Sequence, residues 1–283
     1  MTHPKILAVL AHPDDETLGF GGTLARYAAL GSETHLICAT RGQRGWFGAP
    51  DDYPGPDALG AIREGELRDA AQILNLRSIQ LLNYMDGELD QVDPQTIIHE
   101  LAEHIRRIRP QIVLTFDPYG VYGHPDHIAI AQFTTAAIVE AAGGTHPNDA
   151  PPYRVEALYY RVLTAAELVA YQSAFGQLVM TIDGADRQAT PWPDWAVSTR
   201  IDTCAYVAQV WQAVRAHYSQ LSGYERLMAL PPHEQQAIFG SQTFYRAFSF
   251  TAAGRRPETE LSFDTNSLLS PQRDSITSGK YSS

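Results

Sequence analysis

Two hydrophobic rhythms alternate along the first 150 residues. Short, mainly apolar runs (Lys5 to Ala11, His35 to Thr40, Ile79 to Leu82, Ile112 to Phe116) read as buried strands. Between them lie longer stretches in which apolar residues recur every three or four positions, predicting helices over Thr17 to Leu30, Gly60 to Leu74, Pro94 to Ile108 and His127 to Ala142. Gly31 is a natural stop for the first helix, and Pro94 suits the first turn of the third. This alternation predicts βαβ units and an α/β fold: a doubly wound, mostly parallel, Rossmann-like sheet. Past a Gly/Pro-rich break at Gly143 to Pro152, strands are expected at Ala157 to Leu163, Leu178 to Ile182 and Phe244 to Phe250, and a helix at Ala205 to Leu221. This second part is expected to extend the same domain, residues 1–254, with 151–254 closing over a crevice of the 1–150 core. The Ser/Thr-rich sequence from Arg255 onward is expected to be a polar tail or an arm docking on a neighbour.

Two chemically dense stretches stand at predicted strand ends. Ala11-His12-Pro13-Asp14-Asp15-Glu16 follows the first strand, and His124-Pro125-Asp126-His127 follows the fourth. In a doubly wound sheet the carboxyl ends of such strands share one crevice, so the two can meet. Catalytic zinc takes three protein ligands from His, Asp and Glu and leaves a position for water. His12 and Asp15, three residues apart across a turn, can face one point, and His127 at the start of its helix can supply the third ligand. Asp14 then stands beside the metal as a carboxylate able to take the proton of an attacking water. His124, one helical turn before His127, can donate to an oxyanion or a leaving amine, and a protonated His124 would need Asp126 or Asp117 as counter-charge. Tyr122 is a further oxyanion donor. Taken alone, each stretch has a structural reading, the aspartates as helix caps and His124 likewise. Taken together, one metal centre explains them better.

Composition narrows the setting. Apolar residues make up 44% and charged residues 19%, the balance of an ordinary globular chain. The net charge of -11 argues against nucleic acid as a partner. No apolar run reaches the roughly 18 residues of a membrane span, and the N-terminus lacks the pattern of a signal peptide, so a cytoplasmic location is expected. Cys38 and Cys204 form no CxxC pair and read as buried or inert thiols. The 17-residue loop Arg41 to Asp57 is long enough to be a lid or substrate wall, with Trp46 and Phe47 able to stack on a sugar face or to anchor the loop. The glycines at 19, 21 and 22 read as close packing of the first helix in preference to a ligand cradle.

The AHPDDE and YGHPDH stretches resemble the signatures of the PIG-L/LmbE-like zinc-dependent deacetylases, which remove acetyl from N-acetylglucosamine-containing molecules. The resemblance covers roughly residues 4–150. It implies Zn²⁺, with Fe²⁺ as the alternative, on His12, Asp15 and His127, Asp14 as general base, and His124 assisting the oxyanion and leaving amine. It also implies an oxyanion role for Tyr122 and substrate-binding roles for Arg63 and Asp86, whose plainer readings are a helix-surface ion pair with Glu64 or Glu66 and a turn at Gly87. His217-Tyr218-Ser219-Gln220 is similar to the family's late H-x-S-Q helix. The chain departs from the family pattern in the uncharged stretch Val207 to Val214 and at Gln242, where an acidic residue is common. The expected substrate is an N-acetylated amino sugar or conjugate, and a homo-oligomer is compatible with the sequence. The competing readings are an amidase cleaving another amide, such as a thiol conjugate, and a nucleotide-binding module, against which the absent G-x-G-x-x-G speaks.

Overall fold

A computed structural model of the chain describes residues 3–144, 150–182, 184–250 and 257–263. Five strands pair in parallel: β1 (Ile6–Leu10), β2 (Thr34–Thr40), β3 (Ser78–Tyr84), β4 (Ile112–Phe116) and β5 (Ala157–Val162). Strands β8 (Thr199–Asp202) and β9 (Ser241–Ser249) extend the sheet antiparallel beyond β5, giving the order β3-β2-β1-β4-β5-β9-β8. Every residue of β1, β2 and β4 is buried, which is why these strands read as mainly apolar runs rather than alternating ones. From β1 the chain winds outward to β2 and β3, then returns to β4 on the other side of β1. The carboxyl ends of β1 and β4 therefore flank the switch point, where this type of sheet opens a crevice.

The helices are α1 (Asp15–Leu18), α2 (Gly21–Ala29), α3 (Pro56–Ile73), α4 (Pro94–Ile108), α5 (Gly120–Gly123), α6 (Pro125–Ala142), α7 (Ala165–Phe175), α8 (Val207–Ala216), α9 (Glu225–Ala229) and α10 (Pro232–Phe239). Helices α4 and α6 pack on each other and, with the strands, enclose the main core; α8 packs on α2 and α3. A second apolar cluster joins Leu168 and Tyr171 of α7, Trp211 of α8, and Tyr224, Leu227 and Phe239. It stands beside the crevice as a wall.

Several expectations need correction. The helix foreseen over 17–30 breaks at Gly19 and Phe20 into α1 and α2. The packing reason for the glycines is direct: a Cβ on Gly22 would lie 2.6 Å from the Thr203 Cβ, and one on Gly21 3.3 Å from Val210. The helix foreseen over 205–221 ends at Ala216, where His217 leaves helical geometry and a 3₁₀ segment, Tyr218–Tyr224, follows. The strand near residue 178 is β6 (Val179–Ile182), which leaves the main sheet and forms a separate hairpin with β7 (Ala185–Gln188). Cys204 is exposed, whereas Cys38 is buried, and both are free. Of the tail from Arg255, residues 257–263 fold back on their own chain: Glu258 pairs with Arg246 and accepts from Thr199, and Leu261 is buried. The remaining tail residues lie outside the described part. No described helix is long and apolar enough to cross a membrane.

Candidate functional site

The turn after β1 is held in a costly conformation. Asp14 has φ +104, outside the ranges favoured by residues with a Cβ. The amides of Thr17 and Leu18 both donate to its carbonyl at 3.0 Å, while its own N–H donates to Glu16 Oε2 at 2.9 Å. Arg63, buried on α3, donates to the Pro13 carbonyl, to Gly42 O at 2.9 Å and to Asp14 Oδ2 at 3.0 Å. Tyr224 adds a bond of 2.6 Å to the same Oδ2. The turn after β4 is strained too: Val121, a β-branched residue, has φ +67, with its N–H held by Asp117 Oδ1 at 2.8 Å.

These turns bring His12, Asp15 and His127 together, with one ligand-type atom from each within 4.8 Å of the others. His127 Nε2 is 3.3 Å from Asp15 Oδ1 and 3.3 Å from His12 Nδ1, and His12 Nδ1 is 3.6 Å from Asp15 Oδ2. The outer contacts assign the tautomers. His12 Nε2 faces Asp86 Oδ1 and Asp126 Oδ2, each at 3.0 Å, and so carries its proton there. His127 Nδ1 faces the Gly120 carbonyl at 3.3 Å, and Gly120 must be glycine: its φ is +60 and a Cβ would lie 2.8 Å from that of His127. His12 Nδ1 and His127 Nε2 are then turned toward each other and toward the Asp15 carboxylate. Positive charge at this point, a proton on His12 or a metal ion among the three, makes that arrangement favourable, and backing by carboxylate and carbonyl is the usual support of metal-bound histidines. The N, N, O donor set suits a catalytic zinc site. Burial alone would lower the His12 pKa, but its bonds to Asp126, Asp15 and Asp86 outweigh this and hold it well above the usual histidine range. The same negative field favours a divalent cation. His12, Asp86 and His124 also cluster, but the His12 nitrogen nearest Asp86 is the one that keeps its proton, which favours the first set.

The expected counter-charge for His124 is not there. The Asp126 carboxylate turns to His12 and accepts from the N–H groups of Gly87 at 2.7 Å and Leu89 at 3.1 Å. Asp117 accepts from Val121 and from Trp192 Nε1 at 2.6 Å. His124 Nδ1 instead accepts from the Asp126 N–H at 3.1 Å, capping α6. Burial, then the neighbouring His12 and His127, push the His124 pKa down to about 3. It is a neutral imidazole whose Nε2–H can donate. Tyr122 packs edge-on against His127, with ring centroids 5.3 Å apart, and burial raises its phenol pKa.

Arg63 does not pair with Glu64 or Glu66; Glu64 meets Arg41 and Arg68, and Glu66 accepts from Ser219. Asp86 lies 3.0 Å from His12 Nε2 through Oδ1 and accepts from the Arg44 N–H at 3.0 Å through Oδ2, a contact with the histidine cluster that the sequence reading did not foresee. Fully buried Glu16 bridges the Asp14 N–H to His217, whose Nε2 lies 2.7 Å from Glu16 Oε1. Gln220 lines the cavity and donates to Gly45 O at 3.0 Å. Gln242 lies elsewhere, accepting from Thr23. Trp46 bonds its own loop at Ala49 O, whereas Phe47 reaches the cavity. That cavity has a volume of about 330 Å³ and is lined by His12, Asp14, Asp15, Arg63, Asp86, Tyr122, His124 and His127 together with an apolar wall. Tyr224 and Arg161 are lining residues that the sequence reading did not pick out; no local motif marks either.

A parallel sheet whose switch point presents a His-Asp-His triangle beside a separate carboxylate defines the class: a hydrolase with a site that could hold a metal. The profile of the PIG-L family, GlcNAc-PI de-N-acetylase, matches residues 7–138. The 1D-myo-inositol 2-acetamido-2-deoxy-alpha-D-glucopyranoside deacetylase of Rhodococcus jostii is 34% identical over 78% of this chain and 83% of its own length. The protein of that name from Thermobifida fusca is also 34% identical, over 86% of this chain and 93% of its own. Among solved structures, a conserved protein of Thermus thermophilus superposes with a TM-score of 0.63 at 27% identity, covering 88% of this chain and 97% of the other. The chain belongs to the PIG-L/LmbE-like deacetylase family and is an amide hydrolase.

Proposed function

We propose that this enzyme removes the N-acetyl group from an N-acetylglucosamine-type amino sugar or its conjugate, with Zn²⁺, or alternatively Fe²⁺, held by His12, Asp15 and His127. The observation that carries the reading is the pair of imidazole nitrogens turned toward Asp15 while their outer nitrogens are engaged elsewhere. When bound, the ion supplies Lewis acidity and lowers the pKa of a coordinated water toward about 7. Asp14 is the proposed base. Arg63 and Tyr224 both bind its Oδ2, which orients the carboxylate for proton transfer at Oδ1. Water oxygen adds to the acetyl carbonyl carbon as Asp14 takes a proton. The His124 Nε2–H and the Tyr122 hydroxyl donate to the oxyanion as it forms. Asp14 returns the proton to the sugar nitrogen as the C–N bond breaks, and acetate and a free amine leave. Asp86 and Asp126 orient His12, and Arg63 positions Asp14 from within the wall.

The test is product analysis with free and conjugated N-acetylglucosamine. Asp14→Asn is expected to keep its metal and lose about 10²- to 10⁴-fold in turnover, the usual worth of a positioned base. His12→Ala is expected to lose the metal. An Asp14→Asn protein with near wild-type turnover contradicts the assignment of the base, and release of an acid larger than acetate points to a different amide.

A further inference from the structure

The polar machinery occupies one end of the cavity; the other end has a different chemistry. Leu163, Tyr171, Phe175 and Leu178 line it from the segment 163–178, Tyr224 from the 3₁₀ segment, and Phe47 from the long loop. The aromatic rings run on from the catalytic end: Phe47 to Tyr224 at 6.4 Å, Tyr224 to Phe175 at 5.9 Å, and Phe175 to Tyr171 at 6.1 Å between centroids. Their hydroxyl groups are already engaged by protein partners. Tyr224 donates to Asp14, and Tyr171 donates to the Leu18 carbonyl at 2.7 Å. Arg161, the one cation among the described residues on this side of the lining, is buried and occupied: Gly19 O at 2.9 Å, Thr243 O at 3.0 Å and Glu167 at 3.2 Å take its guanidinium. Apart from the unpartnered Gln220 Oε1 near Gly45, little is left along this side of the lining to bind hydroxyl groups. A polyol packed there would exchange water for carbon and leave buried hydroxyls unpaired, which weakens binding.

From this wall we infer that the group joined to the amino sugar is apolar, an aryl or alkyl aglycone packed between Phe47, Phe175 and Leu178. The inference rests on the deacetylation proposed above. There the acyl group is acetyl and sits at the metal end, so the aglycone is the part left to meet the wall. Phe47 is 54% exposed and so offers free ring surface at the cavity rim. Leu163, Tyr171, Phe175, Leu178 and Tyr224 all lie beyond residues 7–138, the part that matches the family profile. The relatives with the inositol-linked substrate name align over 78% and 86% of this chain, so the alignment runs past residue 138 into this wall, and the inositol-linked sugar is the comparison that tests it.

The experiment compares acetate release by the metal-loaded enzyme from phenyl N-acetylglucosaminide, octyl N-acetylglucosaminide and the inositol-linked N-acetylglucosaminide, and hexanoate release from N-hexanoylglucosamine. The expected result is a kcat/KM for a phenyl or octyl substrate about tenfold or more above that for the inositol-linked one, the scale on which apolar pockets discriminate. Phe175→Ala, Leu178→Ala and the loop variant Phe47→Ala should each narrow that ratio by at least about threefold. Acetate release with a ratio near one, or favouring the inositol-linked substrate, overturns the inference and leaves the deacetylase reading standing. Preference for the N-hexanoyl group without aglycone preference also overturns it, since the apolar part would then be acyl. Absence of hydrolysis with all four overturns both readings.

Discussion

Asp14 and Asp15 are neighbours of one residue type with different surroundings. Asp15 faces the two imidazoles, which hold its carboxyl well below the usual range against the effect of burial. Asp14 is raised: burial dominates, Arg63 opposes it and Asp15 adds repulsion. Sequence spacing separated their roles because His12 and Asp15 lie three apart across a turn. What fixes Asp14 was out of reach, since Tyr224 is 210 residues away and no periodic pattern announces its bond. The Glu16–His217 contact spans 201 residues for the same reason. Histidines away from the site make a separate prediction. Burial lowers the pKa of His35 below 6.5, and Glu33 only partly offsets it. The unfolded chain therefore binds a proton more tightly than the folded one, and stability falls as pH drops below about 6.5. Melting temperature should decline between pH 7 and pH 5, and less steeply in His35→Gln; equal slopes would show that His35 does not titrate in this way.

At the scale of elements, the parallel half was legible because β1, β2 and β4 are buried on both faces and their apolar runs have few other readings. The strands that followed were harder. β8 is four residues long with alternate exposure, too short to stand out, and β9 begins three residues before its apolar stretch. The break between α1 and α2 was hidden because the apolar period continues across Gly19 and Phe20 while the backbone does not. Contact between α2 and the segment before α8 turns this into a prediction. Gly22→Ala would place a Cβ 2.6 Å from the Thr203 Cβ. That overpacking should cost about 1–3 kcal/mol, read as a lower denaturation midpoint at unchanged metal affinity. A midpoint equal to wild type would show that the α2 contact yields freely.

For the molecule as a whole, the sheet carries the chemistry and the C-terminal part shapes the space in front of it. The two signature turns were predictable because a doubly wound sheet brings its strand ends to one crevice. The loop 41–57 and the part 151–254 were expected in front of the crevice, but which of their residues form the wall could not be predicted, since α7, the 3₁₀ segment and the loop meet only in three dimensions. The proposed function has a single metal ion on His12, Asp15 and His127 driving amide hydrolysis. It is tested most directly by stripping the protein with chelator and titrating Zn²⁺ back while following acetate release from an N-acetylglucosaminide. The expected result is no turnover in the stripped protein, return to a plateau near one ion per chain, and no return in His12→Ala. Wild-type acetate release from protein shown to contain no metal would contradict it.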